Sequence, residues 1–312
     1  MNYYKKVDFQ VKAIKSYPLT KLRASAFKVL DNNPLFDIEV ASNCNIACSF
    51  CPRAKVRRHA KIMTPEIFDL VVKLLPNNAV VMFAGLGEPL INKHLTTYIS
   101  ILKTLNISSC IITNGILLTP QRQQQLITSG VDQFQISYSG ISSNSLNLIM
   151  GSTKYKNTLD SNLRYLALNR PLNLRVQLNF VLFKENQVDL PIVMDLADKW
   201  GFDIHVRRVH NRGGNYITNK YEEIIKSSCG IYAAVTFIST DGNIMACSND
   251  IEEDSYFRSV ANASWKDILA WKKKLLRQEL QFKPCLNCND DYRWLILDYL
   301  SVDRNYVNNQ HR

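Results

Sequence analysis

No apolar run in this 312-residue chain approaches the ~18 residues that a membrane span needs. The N-terminal Met1-Asn2-Tyr3-Tyr4-Lys5-Lys6 lacks the apolar core of a secretory signal. The expectation is a soluble cytoplasmic protein. Its eight cysteines then speak for metal ligation rather than disulfides, because reducing compartments keep thiols reduced. The basic stretch Arg53, Lys55, Arg57, Arg58, His59 and Lys61 has no interleaved aromatics, so the stacking platform of a single-strand nucleic-acid binder is missing. Nucleic acid is a minor option. The net charge of +11 is better matched by an anionic small substrate or an acidic peptide. A content of 46% hydrophobic and 21% charged residues excludes disorder over most of the length.

What is present is organised around Cys44-Asn45-Ile46-Ala47-Cys48-Ser49-Phe50-Cys51. This stretch follows Phe36-Asp37-Ile38-Glu39-Val40, an alternating run that predicts a strand. A strand ending in a loop with three thiols can wrap that loop around one metal cluster. Three thiolates fill three of the four irons of a [4Fe-4S] cube and leave one for a ligand that is not protein. Cysteine-built zinc sites usually pair two short C-x-x-C knuckles, and this spacing does not match them.

Six strand-like runs, near 36–41, 79–84, 109–113, 133–138, 174–182 and 203–209, alternate with helical patterns. Thr64-Pro65-Glu66 and Thr119-Pro120 read as helix starts. Strict alternation predicts a parallel sheet with crossover helices. Residues 1–35 are basic and weakly amphipathic and predict a short helical extension. Arg175, Gln177 and Asn179 fall at period two and share one face of the fifth strand. Cys110 reads as an inert core thiol.

The motif C-x-x-x-C-x-aromatic-C after a first strand resembles the cluster motif of the radical S-adenosylmethionine (SAM) superfamily. The resemblance implies a partial (β/α)6 barrel over residues 36–214, with the chemistry at the C-terminal strand ends. Cys44, Cys48 and Cys51 would hold the cluster, and SAM would chelate its open iron. Gly85-Leu86-Gly87-Glu88-Pro89 is similar to the family's Gly-Gly-Glu-Pro segment, where backbone and acid hold the methionine amino group. Leu86 stands where the family usually has the first glycine. By the same resemblance Ser137 lies near the SAM carboxylate or ribose, Thr113 or Asn114 lines the pocket, and Phe50, Arg175 and Asn179 face it.

From about residue 215 the pattern changes. Asp241-Gly242 between apolar runs predicts a hairpin that draws Cys229 and Cys247 together. Cys285-Leu286-Asn287-Cys288 adds a C-x-x-C knuckle. In isolation these four thiols read as a zinc site. Beside a radical SAM core the spacing, with Val260–Ile268 between the pairs, resembles the auxiliary-cluster extension called SPASM, in its shortened "twitch" form. Residues 215–312 are thus expected to form a small α+β domain with a second [4Fe-4S] cluster.

The implied reaction starts when a donor such as flavodoxin or ferredoxin reduces the first cluster. SAM is then cleaved to a 5′-deoxyadenosyl radical that abstracts a substrate hydrogen. Full cysteine ligation of the second cluster points to electron transfer, hence to two-electron oxidation of a sugar or cyclitol alcohol. His210, Arg212 and Tyr216 are the candidate proton acceptors. The alternative is a maturase that crosslinks, forms a thioether in, or epimerises a ribosomally made peptide.

Overall fold

The computed structural model describes residues 34–55, 60–216, 229–278 and 282–290, with isolated positions between 24 and 31. Most of the expected helical extension over residues 1–35, and the basic residues Arg57, Arg58 and His59, lie outside the described residues. The elements in order are β1 (Leu35–Ile38), α1 (Pro65–Leu74), β2 (Val80–Phe83), α2 (Leu95–Thr104), β3 (Ser108–Thr113), α3 (Pro120–Thr128), β4 (Gln133–Ser137), α4 (Ser143–Met150), α5 (Lys156–Asn169), β5 (Arg175–Leu182), α6 (Leu190–Trp200) and β6 (Asp203–Arg208). They are followed by α7 (Gly230–Ala234), β7 (Val235–Ile238), β8 (Asn243–Met245), β9 (Arg258–Ser259), α8 (Trp265–Leu276) and α9 (Lys283–Asn287). No helix among the described residues is long and apolar enough to cross a membrane.

Local chemistry sets the helix starts as the sequence predicts. The Thr64 and Thr119 hydroxyls accept from Ile67 N and Arg122 N, and Pro65 and Pro120 sit in the first turns. Buried Phe68, Val71 and Leu74 then fix the inner stripe of α1. Phe68 stacks on Tyr98 of α2 with ring centroids 4.0 Å apart.

The strands β1 to β6 pair in parallel and in chain order, and the sheet does not close between β6 and β1. This is the open half-barrel expected. One strand face is apolar and fully covered by helices, with Phe36, Ile38, Val81, Phe83, Ile111, Phe134, Ile136, Leu178 and Phe180 at most 1% exposed. Burial of each such side chain contributes about 1.5–3 kcal/mol. The other face is polar. One register row across it reads Asp37, Met82, Cys110, Gln133, Arg175.

The hairpin forms as predicted: β7 and β8 are antiparallel, with Gly242 at φ +77° in the turn. What the sequence did not reveal is where it docks. β7 pairs in parallel with β1, so the strands after Cys229 extend the core sheet at its β1 edge.

Candidate active site

The cysteine loop leaves β1 and is tied down along its length. Ser42 N donates to Lys61 O at 2.9 Å, Lys61 N returns to Ser42 Oγ at 2.8 Å, and Ser49 N reaches Ile149 O at 3.2 Å. An Arg53 Nη2 donates to Ile46 O at 3.2 Å, and Lys61 Nζ pairs with Asp241 at 2.7 Å. Two members of the basic stretch are therefore spent inside the chain. Phe50 packs on Phe183, just past β5, at 5.3 Å.

Cys44 and Cys48 feel the thiols beside them. Burial first, then charge on Cys51 and Cys44, pushes Cys48 up to about 12. Burial is also the main cause of the raised Cys44 pKa. A metal centre's own positive charge inverts this logic and holds thiols as thiolates. An N–H···S donor is in place: Asn114 Nδ2 lies 3.7 Å from Cys44 Sγ. Among the described residues no three His, Cys, Asp or Glu side chains converge on one ion-sized point. The chemistry of the donor set, three thiols on one short loop with an amide N–H beside Cys44, is that of a partial iron–sulfur ligand set.

The segment after β2 lies against this loop with no room to spare. A Cβ on Gly87 would sit 2.1 Å from Ala41 O and 2.4 Å from Asn43 O. Glu88 N donates to Asn43 O at 2.8 Å, which pins the two segments together. The Glu88 carboxylate is buried and already engaged. Its Oε1 accepts from Thr113 Oγ1 at 2.7 Å and Leu90 N at 3.1 Å, and its Oε2 accepts from Asn114 N at 2.8 Å. Glu88 and Thr113 thus brace the ends of β2 and β3, and Pro89 opens the turn that follows. Gly85 and Gly87 are the half-buried positions of the segment. Leu86 is buried, its N–H given to Glu39 Oε1 at 2.9 Å.

Asn114 is the link between strand ends and cysteines, since its Nδ2 also donates to Asn45 Oδ1 at 2.8 Å. Ser137 ends β4 exposed, opposite Asn179 of β5. Asn179 belongs to a polar chain in which Gln177 Nε2 donates to its Oδ1 at 2.7 Å and its Nδ2 donates to Gln135 Oε1 at 3.2 Å. Arg175 departs from its expected place. It begins β5 at the end of the strand away from the cysteines and pairs with Asp203 at 3.6 Å. At about 3.3 Å per residue, the six-residue climb from Arg175 to Val181 keeps it from the pocket.

The expected proton acceptors are also corrected. Arg212 N donates to His210 Nδ1 at 3.2 Å, and His210 Nε2 lies 3.5 Å from Asp290. Both ring nitrogens are occupied, and burial drives the pKa of His210 down to about 3. Tyr216 is shifted up, by burial and then by Glu185, which favours the protonated phenol. Arg212 carries a guanidinium, a donor only. It sits at φ +53° with Nε buried and without a hydrogen-bond partner among the described residues, and its charge reaches Cys48. That placement suits an anion anchor, not a base.

Cys247 is pushed up by burial and then by Cys229, Cys288 and Cys285, and Asn249 N donates to its Sγ at 3.4 Å. The knuckle is clamped to the loop after β6. Arg207 Nη2 donates to both Asp290 oxygens at 3.1 and 3.0 Å, while Asn211 N and Asn289 Oδ1 meet at 2.6 Å. Cys110 is a buried thiol of β3, pushed up by burial.

Asp37 and Asp290 were not singled out from the sequence. Asp37 lies on the polar face of β1 with Oδ1 buried and unpartnered among the described residues, and burial raises its pKa to about 7. An acid in the otherwise apolar run Leu35–Ile38 was the available signal. Asp290 follows Cys288 closely, but its partner on β6 is 83 residues away.

A family model described as the Radical SAM superfamily matches residues 38–197. A PqqA peptide cyclase of Bradyrhizobium diazoefficiens is 26% identical over 163 residues, 51% of this chain and 42% of that relative, so the match spans less than half of the relative's length. The structure of BtrN in complex with AdoMet and 2-DOIA is similar with a TM-score of 0.55 at 19% identity, covering 82% of this chain and 92% of BtrN. Streptococcus suis SuiB bound to precursor peptide SuiA gives 0.63 at 16%, covering 82% and 70%. At these identities the structural likeness is one of fold. The family match spans more than half of the sequence and contains both the cysteine loop and the glycine segment packed on it, and the chain belongs to the radical SAM superfamily.

Proposed function

We propose that this protein is a radical SAM oxidoreductase that removes two electrons from its substrate, with Cys229, Cys247, Cys285 and Cys288 holding an auxiliary [4Fe-4S] cluster as electron acceptor. The superfamily implies a [4Fe-4S] cluster and SAM. When bound, they supply a 5′-deoxyadenosyl radical for hydrogen abstraction from an unactivated C–H. Cys44, Cys48 and Cys51 hold the first cluster, with Asn114 donating to sulfur. The backbone of Gly85–Gly87 receives the methionine amino group, and Glu88 and Thr113 position that backbone. Ser137 and Asn179, at the ends of β4 and β5, line the pocket beyond it. Arg212 orients an anionic or polar group of the substrate.

The observation that carries the oxidative reading is the second thiol group. Cys247 is raised by burial and then by Cys229, Cys288 and Cys285, and four cysteine ligands would leave no iron open for substrate. The role left is to take an electron from a substrate radical. The preferred substrate is an amino-sugar or cyclitol alcohol oxidised to the carbonyl: the carbon-bound hydrogen would leave with the 5′-deoxyadenosyl group, one electron would pass to the auxiliary cluster and the hydroxyl proton to water, and the near-complete coverage of BtrN's length supports it. The second reading is modification of a ribosomally made peptide, favoured by the likeness to PqqA peptide cyclases and to SuiB with its bound precursor peptide. Flavodoxin or ferredoxin is the proposed donor of the initiating electron.

Anaerobically reconstituted enzyme with SAM and reductant should turn over a pool of amino sugars, cyclitols and nucleotide sugars to a product lighter by two hydrogens. Mass spectrometry reads it. Turnover only with a peptide encoded beside the gene moves the assignment to the second reading.

A further inference from the structure

Two buried polar side chains near the second cysteine set have no role in the account above. Tyr232 is 1% exposed, and its hydroxyl has no hydrogen-bond partner among the described residues. A buried phenol without a partner is costly, and tyrosine is normally buried only where its O–H is met. The ring is fixed, edge-on to Trp271 at 5.8 Å. Cys229 and Cys285 pack against the same small core as Tyr232. Burial, then charge on Cys285 and Cys229, disfavours the phenolate, so the O–H keeps its proton.

Lys272 of α8 is the second. It is fully buried, which is rare for lysine, and its Nζ donates to Tyr232 O at 2.7 Å and to Val235 O. It also stands 5.0 Å from the centre of the Tyr232 ring. Burial lowers its pKa to about 7, while Cys247, Cys229 and Asp37, in that order, act to keep it charged. Carbonyl oxygens favour an ammonium, and thiolates charged on metal binding favour it further.

We propose that Tyr232 and Lys272 set the reduction potential of the auxiliary cluster, Tyr232 as an O–H donor toward the cluster and Lys272 as a buried amine that the negative cluster holds protonated. The proposal rests on the reading that Cys229, Cys247, Cys285 and Cys288 hold a cluster. Hydrogen bonds to sulfur and nearby positive charge both stabilise the reduced, more negative state. They make the site a better electron acceptor without touching substrate. Both are positioning residues in this sense, and their signature is a potential.

The test isolates the auxiliary cluster in the full-length C44A/C48A/C51A variant, reconstituted anaerobically. Its reduction is followed by electron paramagnetic resonance against mediators. Adding Y232F or K272M should lower the midpoint potential. A fall of about tenfold in the reduced-to-oxidised ratio at fixed poise corresponds to 59 mV for one electron. K272R keeps the charge and should recover most of the K272M shift. Y232F removes one oxygen and leaves the ring, so it carries the test even where K272M folds poorly. Unchanged potentials at parental iron content overturn the proposal while leaving the cluster reading intact. A triple variant that holds no iron–sulfur cluster overturns the cluster reading itself, and the proposal with it.

Discussion

Gly87→Ala is the sharpest probe of how the glycine segment and the cysteine loop meet. The new methyl would lie 2.1 Å from Ala41 O and 2.4 Å from Asn43 O, both backbone atoms that no rotamer change can move. Relief requires the loop to retreat by roughly an ångström, since carbon–oxygen contacts below 3.0 Å are essentially never observed. The 2.8 Å bond from Glu88 N to Asn43 O is then stretched out of range. Overpacking contributes about 1–3 kcal/mol and the lost hydrogen bond about 0.5–1.5, so a cost of about 2–4 kcal/mol is expected. The sheet and its apolar face are untouched, so the protein should still fold, with a lowered urea midpoint and unchanged slope. The displaced loop carries Cys44, Cys48 and Cys51. Iron bound by the first site should drop, and SAM affinity by equilibrium dialysis should fall more than tenfold. A G87A protein with parental iron content, SAM affinity and stability would refute the argument that the two segments are in contact.

Other substitutions probe separate links. E88Q places an amide N–H₂ against either the Asn114 N–H or the Thr113 and Leu90 donors, so urea denaturation should show a loss of about 1.5–3 kcal/mol, the scale of one charged hydrogen bond. C229A should still cleave SAM but form no oxidised product; full turnover would remove the electron-acceptor role. D290N weakens the Arg207 clamp on the knuckle, and with Arg207 a third exposed the expected cost is about 1–3 kcal/mol, read as earlier thermal loss of auxiliary iron. Asp37 has its native pKa raised from 3.8 to about 7, so the folded state binds the proton more tightly than the unfolded chain. Its contribution is therefore lost as pH rises from about 4 through 7, at ~1.4 kcal/mol for each pH unit, and D37N should flatten that slope in pH-dependent denaturation.

Much of the architecture was legible because it is written in local terms. Apolar and alternating runs mark the strands, Thr64-Pro65 and Thr119-Pro120 mark the starts of α1 and α3, and the observed strands match the six sequence runs to within a few residues. The motif cysteines and the Gly-Glu-Pro segment were equally readable, being contiguous. What escaped depends on tertiary register. The pairing of β7 with β1 joins residues about 200 apart, and no local pattern encodes it. Arg175 has the right face of β5 but the wrong end, because alternation gives the side of a strand and not the height. His210 looked like a base until Asp290 arrived from the far knuckle to occupy its Nε2. Lys272 reads as one more lysine of the Lys272-Lys273-Lys274 run, and only the fold shows that it alone is buried.

The central claim is that the thiols after β1 support SAM cleavage. The most direct measurement is 5′-deoxyadenosine formation by the reduced, anaerobically reconstituted protein, compared with C44A/C48A/C51A by mass spectrometry. The account predicts 5′-deoxyadenosine from the parent and none from the triple variant, whose four remaining motif cysteines cannot substitute. Equal formation by both proteins, or none from a parent with its iron intact, would contradict it.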